Sequence, residues 1–253
     1  MDQGNERRPF LTQTMKQIIS YSLYGSNPKY LVGAIKNAII AQKIMKDFTI
    51  FFYVGSSVPD WCVQTLSLFE NVEIVRVSGA EDSSAMFWRF HAFAEGADYV
   101  LVKDADARLS LRDLYAHQEF VESGLNFHIV KDHPVGHNIE ILGASFSVKG
   151  DSLSDIHELM SSYPITSNYG CDQDFLRDMV YQRAKKSMLV HDSYFKTISD
   201  YPSITKEIDL KRLWTLDMIG AALNEDDSFV YGWDAEKSIK DTGKNQYIYN
   251  IGD

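Results

Sequence analysis

From Gln17 onward, apolar and polar positions along the chain switch repeatedly between a period of two and a helical period. IISYSL (18–23) is a short apolar run closed by Gly25 and Pro28, and it predicts a strand. Leu31, Ala34, Ile35, Ala38, Ala41 and Met45 then recur at helical spacing, with Lys36, Lys43 and Lys46 on the rest of the helix. TIFFYVG (49–55) is an unbroken apolar run, the pattern of a strand covered on both faces. Pro59 opens a helix to about Asn71, VEIVRVS (72–78) is the third strand, and Ser84 to Gly96 is the third helix, with Gly96 as its stop. DYVLVKDAD (98–106) is the fourth strand. Ser110 then caps a helix with Asp113 three residues on, and Gly124 ends it.

Three strand–helix units in succession predict an α/β fold built on a mostly parallel sheet with helices on both faces. After Gly124 the rhythm changes. FHIVKD (127–132) and ILGASFSV (141–148) are strands with no helix between them, which makes the sheet mixed. Helices follow from Ser152 and from about Cys171, then the strand MLVHDSYF (188–195), then one amphipathic helix from about Glu207 to Leu223. Residues 1–14 are polar and aperiodic and read as a loose arm. Residues 15–253 read as a single domain whose last part, 200–253, is an extension without an assigned role.

Composition narrows the class. With 253 residues, 45% hydrophobic and 24% charged, the chain is globular rather than disordered, and 15 Gly with 6 Pro exclude a fibrous repeat. A chain of this size buries roughly three quarters of its unfolded surface and needs no disulfide or metal to fold. Cys62 and Cys171 form no disulfide framework and suit a reducing compartment. The formal charge of -10 supplies no bulk electrostatic footprint for nucleic acid. The longest apolar stretch, Phe48 to Gly55, is far short of the roughly 20 residues of a membrane span. These features predict a soluble, cytoplasmic protein.

Three local signals carry chemistry. Asp104 and Asp106 stand at the carboxyl end of the strand YVLV, where ligands of open α/β sheets bind. Residues i and i+2 share a strand face, so both carboxylates point the same way, roughly 6–7 Å apart, and repel unless a cation or donor lies between them. Carboxylate oxygens are hard ligands suited to Mg²⁺ or Mn²⁺ that also bridges phosphates. Taken alone, the pair also fits a turn capping the next helix. Gly170-Cys171-Asp172-Gln173-Asp174 sets an acid–amide–acid cluster at a helix start, more than capping requires. His191-Asp192 follows a strand as Asp104 does, and an imidazole beside carboxylates tilts metal preference toward Mn²⁺.

KDADARLS (103–110), KDHP (131–134), ILGA (141–144), YGCDQDFL (169–176) and HDSYF (191–195), in this order and spacing, resemble the nucleotide-sugar-dependent glycosyltransferases of the GT-A fold, in particular a small bacterial and viral group of them. The likeness spans about residues 17–196. It implies a GT-A-like, Rossmann-like sheet and a divalent cofactor, Mn²⁺ or Mg²⁺. By position, it implies Asp106 as ligand of the metal on the donor diphosphate and Asp104 on ribose or metal, with His191 completing the metal site. Asp172 then lies near the anomeric carbon, with Gln173 beside it. Ser20, Tyr21, Ser22 and Tyr24 fall where base and ribose sit, Arg89 near a phosphate, and His133 and Gly143 along the sugar site. Ala144 stands where relatives carry a second Gly.

The reaction implied is transfer of a glycosyl group from a nucleoside diphosphate sugar, UDP-type, to an acceptor hydroxyl, with Arg108 or Arg89 assisting the leaving diphosphate. The DQD context resembles retaining enzymes. Two acceptors stay open: a saccharide, or a hydroxymethylated base of phage DNA, for which Arg177, Arg183, Lys185 and Lys186 with Tyr181 form a modest basic stretch. Other classes fit less of the pattern. An aspartate-nucleophile phosphatase places its first Asp after the first strand, and a sugar nucleotidyltransferase needs a Gly-rich basic loop where SLYGSNPK (22–29) has one Gly. A non-catalytic binding module would leave the clustered Asp104, Asp106, Asp172 and His191 without a purpose.

Overall fold

The computed structural model describes residues 15–132, 137, 139–193, 204–208, 210 and 218–230. The arm 1–14, His133 and Pro134, the end of the strand predicted to 195, and the centre of the helix predicted over 207–223 lie outside them. In chain order the elements are β1 (Gln17–Leu23), α1 (Pro28–Ile44), β2 (Phe48–Val54), α2 (Asp60–Leu66), β3 (Val72–Arg76), a 3₁₀ helix (Ser83–Ala94), β4 (Tyr99–Lys103), α3 (Leu111–Ser123), β5 (Phe127–Lys131) and β6 (Ser145–Lys149). After a 3₁₀ turn come α4 (Ile156–Ser162), α5 (Cys171–Phe175), a π-helical turn, α6 (Tyr181–Ala184), β7 (Met188–Asp192) and β8 (Ile204–Lys206).

The strands form one eight-stranded sheet in the order β3-β2-β1-β4-β6-β5-β7-β8. Every neighbouring pair is parallel except the two that involve β6. The mixed, mostly parallel sheet expected from the sequence is the one observed. The strand predicted from Ile141 begins at Ser145, because Gly143 and Ala144 turn the chain into β6.

Period-two alternation in β1 splits its side chains between two cores. Ile19, Tyr21 and Leu23 join Leu31, Ala34, Ala38 and Ala41 of α1 on one face. Ile18 joins Phe87, Phe90, Phe146 and Phe175 on the other. Asn27 caps α1 by accepting from the Lys29 amide at 3.0 Å, and Pro28 fixes its first turn. The capping box expected at α3 is present, and Gly124 ends that helix at φ 68°. Residues 83–94 form a 3₁₀ helix instead of the expected α-helix. Phe87, Phe90 and Phe93 recur at a strict spacing of three, which a helix of three residues per turn stacks into one buried column, with ring centroids 5.6 and 6.3 Å apart. The described end of the segment predicted as a helix to Leu223 is a turn and a β-bridge. No helix among the described residues is long and apolar enough to cross a membrane.

Candidate active site

A cavity of about 350 Å³ opens at the carboxyl ends of β1 and β4, within the size range of small-molecule sites. Ser22 and Tyr24 at the end of β1, Asp104 and Asp106 after β4, and Met86 and Arg89 on the 3₁₀ helix line it. Because β1 and β4 are adjacent and parallel, their ends present the serine and the acidic pair side by side. Asp104 is the more open carboxylate, with its side chain 36% exposed, while that of Asp106 is 8% exposed. Burial, then the neighbouring Asp104, raise the Asp106 pKa, and the Lys29 ammonium, 2.8 Å from Oδ2, opposes them.

Arg89 is the hub of the site. Its side chain is 3% exposed, with Nη1 donating to Asp104 Oδ1 and Nη2 to Asp172 Oδ2 at 2.6 Å. Burial works against the Arg89 cation, but Asp104 and Asp172 outweigh it and its pKa stays above the ordinary value. Asp172 shows the reverse balance: burial raises its pKa and Arg89 only partly offsets it. Gln173 closes the group, donating from Nε2 to Asp172 Oδ2 at 3.1 Å and accepting from the Gly143 amide at 3.2 Å. A Cβ on Gly143 would lie 2.6 Å from Gln173 Nε2 and closer still to Arg89, so any larger residue there must displace the ends of these two side chains. Asp172 itself is 1% exposed and reaches the cavity through Arg89.

No protein-family model matches the sequence, and no curated protein matches it. Solved structures do. A glycosyltransferase involved in glycosylating the major capsid of PBCV-1 superposes with a TM-score of 0.50 at 12% identity, over 90% of this chain and 98% of that one. TarS of S. aureus gives 0.52 at 14% identity, over 71% of this chain and 35% of that one. The mannosyltransferase PcManGT from Pyrobaculum calidifontis, solved with GDP-Man and Mn²⁺, gives 0.46 at 13% identity, over 78% of this chain and 56% of its own length. The chain has a GT-A-type fold.

Within the GT-A sheet, several residues expected at the site point elsewhere. Tyr21 faces the α1 core, fully buried and stacked on Phe52 at 5.0 Å, its hydroxyl without a partner. The alternation that sends Ser20 and Ser22 one way sends Tyr21 the other. Ser20 is also covered, and its Oγ donates to the Arg89 carbonyl at 2.7 Å, so it positions the 3₁₀ helix. Arg108 turns away from the cavity, pairing with Asp227 at 2.9 Å and donating to the Asn224 carbonyl at 2.8 Å. His191 lies on β7, three places from β4 in the sheet, bonded to Glu119 at 2.6 Å and to His128 at 2.7 Å. Burial brings its pKa down to about 4, against the pull of Glu119. It is not brought to Asp104 or Asp106, and among the described residues no three His, Cys, Asp or Glu converge as a metal site.

Other residues at the GT-A cavity escape a reading of the sequence. Lys29 and Tyr30, on the first turn of α1, line it, and so do His137 and the segment 220–222 with Phe229. That late segment is fastened to the acidic loop. Leu223 N donates to the Asp106 carbonyl at 2.9 Å, Ala222 bridges Ala107, and Lys36 and Arg108 both bind Asp227. Asp132, fully buried, holds the same segment from the other side, pairing with Arg112 at 2.8 Å and accepting from Ile219 N at 3.0 Å. The Gly25-Pro28 loop was the local hint for Lys29, since a loop after the first strand ends at a helix start. The contact of 218–230 with the acidic loop had none.

Proposed function

We propose that the protein transfers a glycosyl group from a nucleoside diphosphate sugar, UDP-type, to an acceptor hydroxyl. The observation that carries the reading is the convergence of Asp104, Asp106, Arg89 and, behind them, Asp172 at one cavity on the carboxyl edge of a GT-A-type sheet. The donor set fits a divalent cation. Asp106 already holds a cation, the Lys29 ammonium, and Asp104 stands beside it, two hard carboxylates of the kind that would suit Mg²⁺ or Mn²⁺. Asp106 and Asp104 would hold the metal, which when bound offsets charge on the leaving diphosphate.

The chain's own groups do the rest. Arg89 presents a fixed guanidinium to the cavity, whose planar donors match phosphate oxygens. Asp104 and Asp172 hold that guanidinium, Gln173 holds Asp172 in turn, and Asp172 acts on the reacting centre through Arg89. The DQD context supports retention of the anomeric configuration. Tyr24 offers its hydroxyl to the nucleoside, and Ser22 lines the cavity beside it, its Oγ donating to the Met86 carbonyl and accepting from the Arg89 amide. Residues 15–253 act as one catalytic domain, with 218–230 as part of the donor-site wall.

For the acceptor, a saccharide is the better reading. Arg177 is paired with Asp174 and Asp178, and Arg183 with Asp155, so both arginines of the basic stretch that a DNA acceptor would use are matched by carboxylates. A nucleotidyltransferase is less well supported, since the loop Ser22–Lys29 holds one Gly and its lysine is engaged by Asp106.

Thermal shift with UDP, GDP, CMP and their sugar conjugates, each with Mn²⁺ and with EDTA, tests the reading. At 100 times its Kd a ligand stabilises by about 2.7 kcal/mol, roughly 5–10 °C for a protein of this size. A metal-dependent shift with a UDP-sugar that Asp106→Asn abolishes is the expected result. No shift with any nucleotide in a folded sample overturns it, and chiral analysis of the product tests retention.

A further inference from the structure

The acidic pair is not waiting for a cation. The protein supplies one from its own chain, and we propose that Lys29 is an exchangeable counter-ion that a divalent metal must displace from Asp106. This rests on the donor-binding reading above.

The geometry is specific. Lys29 Nζ lies 2.8 Å from Asp106 Oδ2, with the two side chains 16% and 8% exposed, so the pair is largely withdrawn from water. The same ammonium sits 4.3 Å from the centroid of the Tyr30 ring. The backbones on both sides are fixed: Asn27 and Pro28 set the first turn of α1, and the Asp106 carbonyl is held by Leu223 N. Exchange therefore takes place through the lysine side chain alone, while the loops stay in place. Lys29 and Asp106 both line the cavity, so an ammonium that leaves the carboxylate stays beside whatever occupies it.

The consequences follow from partner counting. In the nucleotide-free protein, a metal that takes Asp106 leaves a largely buried ammonium without its carboxylate, so metal binding is opposed. With a diphosphate in the cavity, the released ammonium gains phosphate oxygens, and the exchange becomes nearly balanced. Metal and diphosphate then help each other, and by linkage the help is reciprocal. Lys29 thereby favours joint arrival of cation and donor, and disfavours a metal bound without nucleotide. Hydrogen bonds to charged groups contribute about 1.5–3 kcal/mol, so releasing Asp106 from Lys29 corresponds to roughly ten- to a hundredfold in metal affinity.

The test measures Mn²⁺ affinity by electron paramagnetic resonance on the full chain, without nucleotide and with UDP or GDP. Lys29→Met, which keeps the length of the side chain, should bind Mn²⁺ at least about tenfold more tightly than wild type without nucleotide. It should also bind UDP or GDP more weakly in EDTA. Lys29→Arg, which keeps the cation, should stay close to wild type and guards against a packing effect. Equal or weaker Mn²⁺ binding by folded Lys29→Met overturns the exchange while leaving the metal reading intact. If Asp106→Asn binds Mn²⁺ with UDP or GDP as tightly as wild type, the metal is not on Asp106, and both the metal assignment and the exchange fall.

Discussion

Replacing Arg89 by Met probes the centre of the site most directly. The methionine keeps the bulk of the side chain and removes a guanidinium that is 3% exposed and bonded to two carboxylates. Asp104, 36% exposed, is then resolvated by water. Asp172, 2% exposed, keeps only Gln173 and becomes a buried charge without its cation. Breaking a buried pair from one side costs about 3–5 kcal/mol. For a protein of this size that lowers Tm by roughly 6–20 °C. The pH dependence has a fixed sign. Burial already raises the Asp172 pKa against Arg89, so without Arg89 its native pKa lies further above the unfolded value. A carboxyl in that condition costs stability in its ionised form. The deficit is therefore full above the native pKa and shrinks as pH falls toward the ordinary carboxylate range. Urea unfolding at pH 8, 7, 6 and 5, with Asp172→Asn and the double variant, checks each part. The double variant should recover most of the loss, since residue 172 no longer leaves a buried charge without its cation. An Arg89→Met protein within 1 kcal/mol of wild type at pH 7.5, or a double variant whose loss equals the sum of the singles, would refute the reasoning.

Gly143→Ala forces a methyl group against Gln173 and Arg89 and should destabilise the fold by about 1–3 kcal/mol while weakening nucleotide binding, both readable in one thermal-shift series. Tyr21→Phe removes a buried hydroxyl that has no partner, so nucleotide affinity should be unchanged and stability equal or higher; a loss of affinity would restore Tyr21 to the site. His117 and His191 are held neutral by burial, each with its pKa brought down to about 4, so stability is full above pH 6.5 and declines as pH falls toward 4, by about 1.4 kcal/mol per pH unit for each. Denaturant titrations of wild type and His117→Asn between pH 7 and 5 should differ in slope by about one proton.

The sequence carried the sheet, the acidic pair and the helix caps because each is written within a few residues. Ser110, Asp113 and Gly124 define one helix by local hydrogen bonds, and YVLVKDAD places its carboxylates by its own alternation. Two corrections concern information that was also local. IISYSL alternates, so Tyr21 had to oppose Ser20 and Ser22, and the three-residue spacing of Phe87, Phe90 and Phe93 favoured a 3₁₀ helix. Strand order is different in kind. His191 does stand at the carboxyl end of its strand, within β7, but β6 and β5 separate β7 from β4, and no local pattern reports that insertion. The Lys29–Asp106 pair and the docking of 218–230 are long-range for the same reason.

The attachment of residues 218–230 bears on the order in which the molecule folds. Asp227 closes onto Lys36 across 191 residues and onto Arg108 across 119, loops whose closure entropy must be met before any contact repays it. Strand pairing between β1, β2 and β4 involves shorter separations and builds the acidic loop first. During synthesis the sheet therefore has its carboxylates in place while one wall of the cavity is still being made. Donor affinity should emerge late in refolding, after the sheet signal is complete, as the last segment latches onto Asp106 and Arg108.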